Sequence, residues 1–193
     1  MTNLKVNIAG VSFKNPVITA SGCFGFGREY ECMYPLEKLG GISLKGMTFQ
    51  EKLGNPPPRI AETPSGMLNS VGLQNPGVEH FLEHDMPYLA KQDTVKIANI
   101  AGSSIEDYCA IAERLSESEI DMFELNISCP NVKQGGAAFG TSCESAERVV
   151  KEVRKYAKKP MIVKLSPNVT DIVSIAKAVE AQGADAISLI NTL

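Results

Sequence analysis

Residues 95–127 read VKIANIAGSSIEDYCAIAERLSESEIDMFELNI, and this stretch decides the fold. It begins and ends with short apolar runs, Val95–Ala101 and Met122–Ile127, of the kind found in strands that are buried on both faces. Between these runs, apolar residues recur at helical spacing, at Ile105, Tyr108, Cys109, Ala112 and Leu115. The stretch therefore predicts a strand, a helix and a second strand, which is the repeating unit of a wound α/β fold.

The same alternation continues on both sides of this unit. Four more apolar runs predict strands at Val17–Ser21, Ile42–Gly46, Met161–Leu165 and Ala186–Ile190. Six strands separated by helices indicate a parallel sheet, and we expect the N-terminal part of a TIM (β/α)8 barrel. Because that barrel needs eight strands, the sequence predicts a chain truncated at its C-terminus, with residues 1–193 forming one domain. An open doubly wound sheet is the alternative, although no G-x-G-x-x-G fingerprint follows a strand.

Helix boundaries are predicted from capping residues. Ser103 and Glu106 have the spacing of a capping box before the helix of residues 105–115. Thr170 is the expected N-cap of a last helix that Gly183 ends. A weaker helical pattern covers residues 78–91, and we expect Pro87 to interrupt it.

The segments before and between the strands predict further features. Leu4–Ile8 and Val11–Phe13 flank a turn at Ala9–Gly10, which predicts an N-terminal β-hairpin at the bottom of the barrel. The long interval from residue 42 to residue 95 holds a Pro- and Gly-rich stretch at 55–59 and 63–66, and a connection of that length in a compact domain is usually functional.

Composition excludes several function classes. The chain has 193 residues, 44% of them hydrophobic, and its 19 basic and 22 acidic residues leave a net charge of −3. This balance argues against nucleic-acid binding. We find neither a run long enough to span a membrane nor a signal peptide. The five cysteines form no C-x-x-C pair, so we expect a cytoplasmic protein without disulfides or a metal site, and a surface role for His80 and His84.

Polar residues recur at the carboxyl ends of the predicted strands. If the strands form one parallel sheet, these side chains meet at one rim, where barrel enzymes perform their chemistry: Ser21, Lys45, Asn99, Asn126, Lys164 and Asn191. A single polar residue at a strand end commonly satisfies a loop backbone group, but six together indicate a site. Two lysines at such a rim need a carboxylate or an anionic ligand, and Glu124 is one candidate partner.

Residues 126–141, NISCPNVKQGGAAFGT, carry the most informative loop. Cys129 stands between the amides of Asn126 and Asn131 and is followed by three glycines. A thiol in that setting can act as a nucleophile or accept a proton, although an isolated cysteine is more often simply buried.

Several motifs together resemble those of the class 1 dihydroorotate dehydrogenases. The motifs are PVITASG (16–22), SLKG (43–46), GNPPPR (54–59), NSVGLQN (69–75), IANIAG (97–102), NISCPN (126–131), VKLSPN (163–168) and INT (190–192). The forms GNPPPR and VKQGGAAFGT resemble the NAD-linked 1B subclass. The resemblance covers essentially the whole chain.

The resemblance implies a flavoprotein that oxidises dihydroorotate to orotate in pyrimidine biosynthesis. It implies that FMN is contacted by Ser21, Lys45, Gly46, Asn99, Asn126, Lys164 and Ile190. It implies that the substrate is contacted by Lys45, Asn69, Ser70, Val71, Gly72, Leu73, Asn126, Asn131, Asn191 and Thr192. It further implies that Cys129 is the catalytic base.

The 1B subclass also implies partners. Electrons would pass to NAD through a second subunit that carries FAD and a [2Fe–2S] cluster, in a heterotetramer built on a homodimer of this subunit. Two other interpretations stay open at this point. One is a Schiff-base aldolase that uses Lys164, and the other is a noncatalytic half barrel that only binds a partner.

Overall fold

The computed structural model describes residues 2–128 and 139–192, and all ranges below lie within them. The strands are β1 Val6–Ile8, β2 Val11–Phe13, β3 Ile18–Thr19, β4 Gly41–Ser43, β5 Ile60–Thr63, β6 Gly66–Asn69, β7 Val95–Ile100, β8 Met122–Asn126, β9 Met161–Lys164 and β10 Ala186–Ser188. The helices are α1 Arg28–Glu31, α2 Val78–His80, α3 Met86–Leu89, α4 Ile105–Ser116, α5 Cys143–Arg154 and α6 Ile172–Ala181.

The central sheet contains all six strands that the apolar runs predict. Its order is β10-β9-β8-β7-β4-β3, so neighbours in the sheet follow one another along the chain, and every pair is parallel. Strands β4 and β8 are fully buried because helices cover the face opposite the concave side. These observations confirm an α/β fold with a parallel sheet.

The sheet is curled. Ser43 on β4 and Ser188 on β10 lie on strands separated by three others, yet both donate hydrogen bonds to Glu124 on β8. Side chains from every second strand meet in one layer inside a curled parallel sheet, which is the arrangement seen inside (β/α) barrels. The concave face therefore carries a buried polar layer.

The N-caps of two outer helices lie one residue later in the sequence than predicted. Ser104, not Ser103, caps α4, and it forms the capping box with Asp107 rather than Glu106. Asp171, not Thr170, caps α6 by accepting from the amides of residues 173 and 174. In both cases the first candidate lies one position too early for its side chain to reach the N2 or N3 amide. Gly183, with φ of +99°, follows α6 as predicted.

The helical run of residues 78–89 continues past Pro87. Between α2 and α3, the residues Phe81–Asp85 form a turn of π-helix, with its wider hydrogen-bond spacing. Pro87 lies in the first turn of α3, where a backbone N–H would have no partner in an α-helix, so its absence costs nothing. Pro87 does not end the helical run, but the regular α-helix is interrupted directly before it by the π turn. Among residues 2–128 and 139–192, no helix combines the length and apolar character needed for crossing a membrane.

The long connection after β4 contains a second hairpin that the sequence patterns do not predict. Strands β5 and β6 pair antiparallel through a two-residue turn at Pro64–Ser65. Every residue of both strands is exposed, including the apolar side chains of Ile60, Met67 and Leu68. The hairpin projects from the fold and is not part of its core.

The N-terminal hairpin covers the amino ends of the central strands. Strands β1 and β2 pair through Ala9 and Gly10, which both have positive φ. Phe13 is fully buried and packs in one cluster with Ile97, Met122 and Ile162, near the beginnings of β7, β8 and β9. This cluster, which we call the lower plug, closes the amino end of the sheet with apolar side chains.

Candidate functional site

The rim residues predicted for FMN lie at one end of the sheet. Because all six strands are parallel, their carboxyl ends share one edge, and each predicted residue lies at or directly after such an end. We refer to this set as the rim: Ser21, Lys45, Gly46, Asn99, Asn126, Lys164 and Ile190. The register places Asn126 on β8 directly beside Lys164 on β9. The structure thus brings Asn126 and Lys164 together at one edge of the sheet.

The loops that follow the first two sheet strands are tied to each other at this edge. Ser21 donates from its Oγ to the carbonyl of Leu44, at 2.6 Å. The Lys45 backbone N–H donates to the carbonyl of Gly25, at 2.9 Å. Lys45 and Lys164 are both half-buried residues at this edge.

A buried carboxylate lies level with Asn99 and two residues before Asn126 on the same strand. Glu124 on β8 is 6% exposed and stands beside Asn99 of β7 in the sheet register. Its Oε2 accepts from Ser43 Oγ and from Asn99 Nδ2, each at 2.6 Å, and its Oε1 accepts from Ser188 Oγ at 2.8 Å. These neutral donors satisfy the carboxylate, so a lysine partner for Glu124 is not required.

Asn99 carries a buried acceptor without a donor. The residue is fully buried, its Nδ2 is bound to Glu124, and its Oδ1 has no hydrogen-bond partner within the described residues. That oxygen lies beside Gly46, since a Cβ atom built on Gly46 would stand only 2.8 Å from it and 3.1 Å from Leu73 Cδ1. Any side chain at position 46 would displace the amide. Unsatisfied buried acceptors are uncommon and often mark places where a ligand supplies the donor.

Asn126 is held by a second polar group. Its Oδ1 accepts from the Ser128 backbone N–H at 3.2 Å and from Ser128 Oγ at 2.6 Å. Its backbone carbonyl accepts from the buried Tyr108 hydroxyl at 2.8 Å. Asn191, beyond β10, donates from Nδ2 to Ser128 Oγ at 2.9 Å. Asn126 and Asn191 are therefore joined through Ser128, across the width of three strands.

The predicted substrate stretch Asn69–Leu73 reaches the rim at its far end. Leu73 contacts the region of Gly46, and it adopts φ of +54°, in the left-handed region that branched side chains rarely occupy. Ser70 is bound instead by the side chain of Asn55, at 3.0 Å to its Oγ, and Asn69 ends the exposed hairpin. The structure therefore places Leu73, rather than Asn69 or Ser70, against a rim residue.

Asn75 fixes the conformation of this stretch. It is 4% exposed, and its Oδ1 accepts from the backbone N–H groups of Thr48 and Gly77, each at 3.0 Å. Its Nδ2 donates to the carbonyl of Leu73 at 2.8 Å and to Thr48 Oγ1 at 2.9 Å. One buried amide thus connects the end of the loop to the segment that follows Gly46.

Some predicted residues lie outside this geometry. Cys129 and Asn131 fall in residues 129–138, outside the described residues. The other cysteines are free thiols. Burial raises the pKa of the Cys109 thiol on α4 above its usual value, which makes that thiol a poor nucleophile. His80 and His84 lie at the surface with their rings tilted against each other, and the described part of the chain holds no group of three potential metal ligands.

Comparison with protein families matches residues 3–193 to dihydroorotate dehydrogenase. The chain belongs to the dihydroorotate dehydrogenase family. It is 61% identical over 191 residues to a protein of Alkaliphilus metalliredigens, covering 99% of this chain and 63% of that protein. It is 56% identical over 192 residues to a protein of Petrotoga mobilis, covering 100% of this chain and 64% of that protein.

A protein of Listeria monocytogenes is 56% identical over 194 residues, again covering 100% of this chain and 64% of the relative. All three relatives are named dihydroorotate dehydrogenase B (NAD(+)), catalytic subunit. The resemblance drawn from the motifs, including its B subclass, is confirmed. The chain spans a little under two thirds of the length of these dihydroorotate dehydrogenase relatives.

Sequence reasoning missed the serines that organise the site. Ser43, Ser128 and Ser188 hold Glu124, Asn126 and Asn191 in place, but none of the three was expected to belong to the site. Ser43 offers a weak signal, because it shares a strand face with Lys45 two residues later. Its partner lies on a strand two positions away in the sheet, which only the curl brings within reach.

Proposed function

We propose that the complete protein oxidises dihydroorotate to orotate, as the catalytic subunit of an NAD-linked dihydroorotate dehydrogenase. The observation that carries the proposal is the rim itself, where two half-buried lysines and a buried amide oxygen that lacks a donor within the described residues share one edge of the sheet. Such an edge fits planar, anionic heterocycles with N–H groups. Family membership and the names of the relatives support the same conclusion. They do not favour the Schiff-base aldolase.

The rim suits FMN. The Asn99 Oδ1 offers an acceptor, and the Oγ1 of Thr19, also buried without a partner among the described residues, offers another polar contact at the same end of the sheet. We propose that Ser21, Lys45, Gly46, Asn99, Asn126, Lys164 and Ile190 hold the flavin. Bound FMN would supply the hydride acceptor that no amino-acid side chain provides.

The substrate would be held by the polar groups around this rim. Dihydroorotate carries a carboxylate and ring amides, which pair with a lysine and with asparagines that both donate and accept. We propose that Lys45 offsets the carboxylate charge, while Asn126, Asn131 and Asn191 bind the ring and its substituents. Thr192 and the stretch Asn69–Leu73 complete the substrate contacts. Lys164 would stabilise negative charge that develops during reduction.

Cys129 is proposed as the base that removes the C5 proton of dihydroorotate. A thiol has an ordinary pKa near ~8.5, so most of it is protonated at neutral pH. We therefore expect turnover to rise with pH as the thiolate population increases.

The architecture and partners are part of the same proposal. We propose that residues 1–193 form one domain and that the six curled strands are the first part of a (β/α)8 barrel. We propose a cytoplasmic homodimer that pairs with a second subunit carrying FAD and a [2Fe–2S] cluster. The words "catalytic subunit" in the relatives' names support a partner of some kind.

An absorption spectrum of the purified full-length protein tests the function. We expect visible flavin bands that bleach when dihydroorotate is added under anaerobic conditions. A protein without flavin bands, or with bands that dihydroorotate leaves unchanged, would contradict the proposal. Borohydride trapping of a carbonyl substrate on Lys164 would instead support the aldolase.

Two variants test the roles of individual residues. Cys129→Ser should retain the bound flavin but lose most flavin reduction, since a hydroxyl is a far weaker base than a thiolate. Unchanged reduction would remove Cys129 from its role. Lys164→Ala should weaken FMN retention or slow reduction, and a variant that does neither would show that this lysine does not serve the flavin.

A further inference from the structure

The direction of the Asn99 amide is determined by Glu124. A carboxylate oxygen accepts hydrogen bonds, so the end of the amide that faces it at 2.6 Å must be the nitrogen. Asn99 and Glu124 are also direct neighbours in the register of β7 and β8, so backbone pairing keeps their side chains on the same face of the sheet. The amide oxygen must therefore point away from Glu124.

Glu124 is itself unable to turn away. Its two oxygens are bound by Ser43 and Ser188, which reach it from β4 and β10 on opposite sides of the curl. Removing the carboxylate from this arrangement would leave the buried donors of Ser43 and Asn99 and the half-buried hydroxyl of Ser188 without an acceptor, which is costly. The orientation of Asn99 is thus set by the centre of the sheet rather than by a loop.

The amide oxygen has no donor within the described chain. It lies beside Gly46, where the absence of a Cβ allows the oxygen to come close to the backbone of the rim. A ligand that satisfies this oxygen must carry an N–H or O–H group. An amide of the opposite orientation would instead select a ligand carbonyl.

We propose that Glu124 is a positioning residue that holds Asn99 with its oxygen toward the rim, so that the site selects a ligand with an imide N–H. This inference rests on the proposed function. The isoalloxazine ring of a flavin and the ring of orotate each carry an N–H between two carbonyl groups. Either ligand could supply the donor, and the experiment distinguishes them.

The experiment follows the N3 proton of each ligand by NMR in the full-length protein, with 15N-labelled FMN and then with 15N-labelled orotate. In the wild type, one ligand should give an N3–H signal that is shifted downfield from its free position and protected from exchange. Glu124→Met should lose this shift and protection, because methionine cannot fix the amide. Affinity for the same ligand should fall about tenfold, the factor that corresponds to one hydrogen bond of ordinary net strength.

Matched variants separate positioning from general stability. Glu124→Gln should keep the signal, since its amide oxygen still accepts from Asn99 Nδ2. Ser188→Ala should also keep it, because the oxygen of Glu124 that faces Asn99 keeps its bonds from Ser43 and Asn99. Glu124→Thr, whose side chain suits a strand but is too short to reach Asn99, replaces the methionine variant if that variant does not fold.

The outcomes are distinct. A shifted flavin proton assigns the acceptor to FMN, and a shifted orotate proton assigns it to the pyrimidine. If both ligands bind and neither N3 proton differs between the wild type and Glu124→Met, the positioning role is wrong while the proposed function stands. A wild type that binds neither ligand would overturn the function and the inference together.

Discussion

The two ends of the central sheet are built from different chemistry. At the amino end, the lower plug of Phe13, Ile97, Met122 and Ile162 is apolar and closed by a hairpin. At the carboxyl end, serines, asparagines, lysines and a buried glutamate meet, and the buried oxygen of one amide lacks a partner within the described residues. The difference indicates that the amino end provides stability, while the carboxyl end retains unsatisfied polarity for binding.

Two backbone groups at the amino end are satisfied by side chains that precede neighbouring strands. Asp121, just before β8, accepts from the Lys96 N–H of β7 at 2.7 Å. Asp185, just before β10, accepts from the Met161 N–H of β9 at 2.8 Å. The same aspartate-to-backbone hydrogen bond is present at two pairs of neighbouring strands, and it involves no ligand. Variants at four positions test whether the two ends are as separate as this comparison suggests.

The largest expected effect is at the lower plug. Phe13→Ala removes a fully buried ring, and we expect a loss of about 3–5 kcal/mol in the free energy of unfolding, measured in urea. FMN affinity of the folded fraction should remain at the wild-type value. Phe49→Ala is the matched control, because Phe49 is 38% exposed and its removal should cost much less. Equal losses for both, or a large loss of FMN affinity in Phe13→Ala, would contradict the separation.

An intermediate effect is expected at Asn75, which should disturb both stability and binding. Asn75→Ala leaves the amides of Thr48 and Gly77 without their acceptor, and we expect a loss of about 2–3 kcal/mol in unfolding free energy. FMN affinity should also fall, since Leu73 loses the bond that fixes it beside Gly46.

Asn75→Asp separates these two contributions. It keeps the acceptor for both amides but removes the donor to the Leu73 carbonyl. We therefore expect a smaller loss of stability and a clear loss of FMN affinity, measured by flavin fluorescence. Wild-type affinity in both Asn75 variants would show that the loop does not support the rim.

The smallest effects concern exposed carboxylates. Hydrogen bonds from Ser174, and less strongly from Val173, hold the pKa of Asp171 at the carboxyl end below its usual value. At the amino end, the hydrogen bond and the charge of Lys14 likewise lower the pKa of Asp93. A lowered native pKa adds stability above the unfolded pKa, near ~3.9, and this stability is lost as pH falls through the native value.

Each carboxylate is tested by its amide variant. Asp171→Asn should be less stable than the wild type at pH ~6. Urea unfolding should show that the difference between their free energies of unfolding becomes smaller as pH falls below about 4. Asp93→Asn should show the same decrease in its free-energy difference from the wild type. The effect is small at both positions because both carboxylates are exposed and screened by solvent. A free-energy difference that stays constant with pH would show that ionisation of the carboxylate does not contribute to stability.

Much of the fold could be predicted because burial leaves a direct trace in the sequence. Strands such as β7 and β8 are buried on both faces and mostly apolar, so their runs stand out, and the parallel order follows from the helices between them. The capping residues of α4 and α6 were misplaced by one position, since adjacent polar residues compete for the cap and only geometry selects one.

The site was harder to predict, for two physical reasons. The rim positions follow from strand ends, but the bonds of Glu124 to Ser43 and Ser188 depend on a curl that joins strands far apart in the sequence. The hairpin of residues 60–69 was missed because exposed strands lack the apolar pattern that reveals buried ones.

The polar layer around Glu124 has a consequence for how the family could change its specificity. Loops at the carboxyl end can be exchanged or lengthened without altering which atom of Asn99 faces a ligand. The orientation of that amide is set by Glu124 on the neighbouring strand, not by the loops. Reversing the preference from donors to acceptors would instead require replacing a buried residue together with its serine neighbours. If Glu124 has the proposed positioning role, selectivity for N–H groups is set inside the curled sheet, and the loops are left to vary around it.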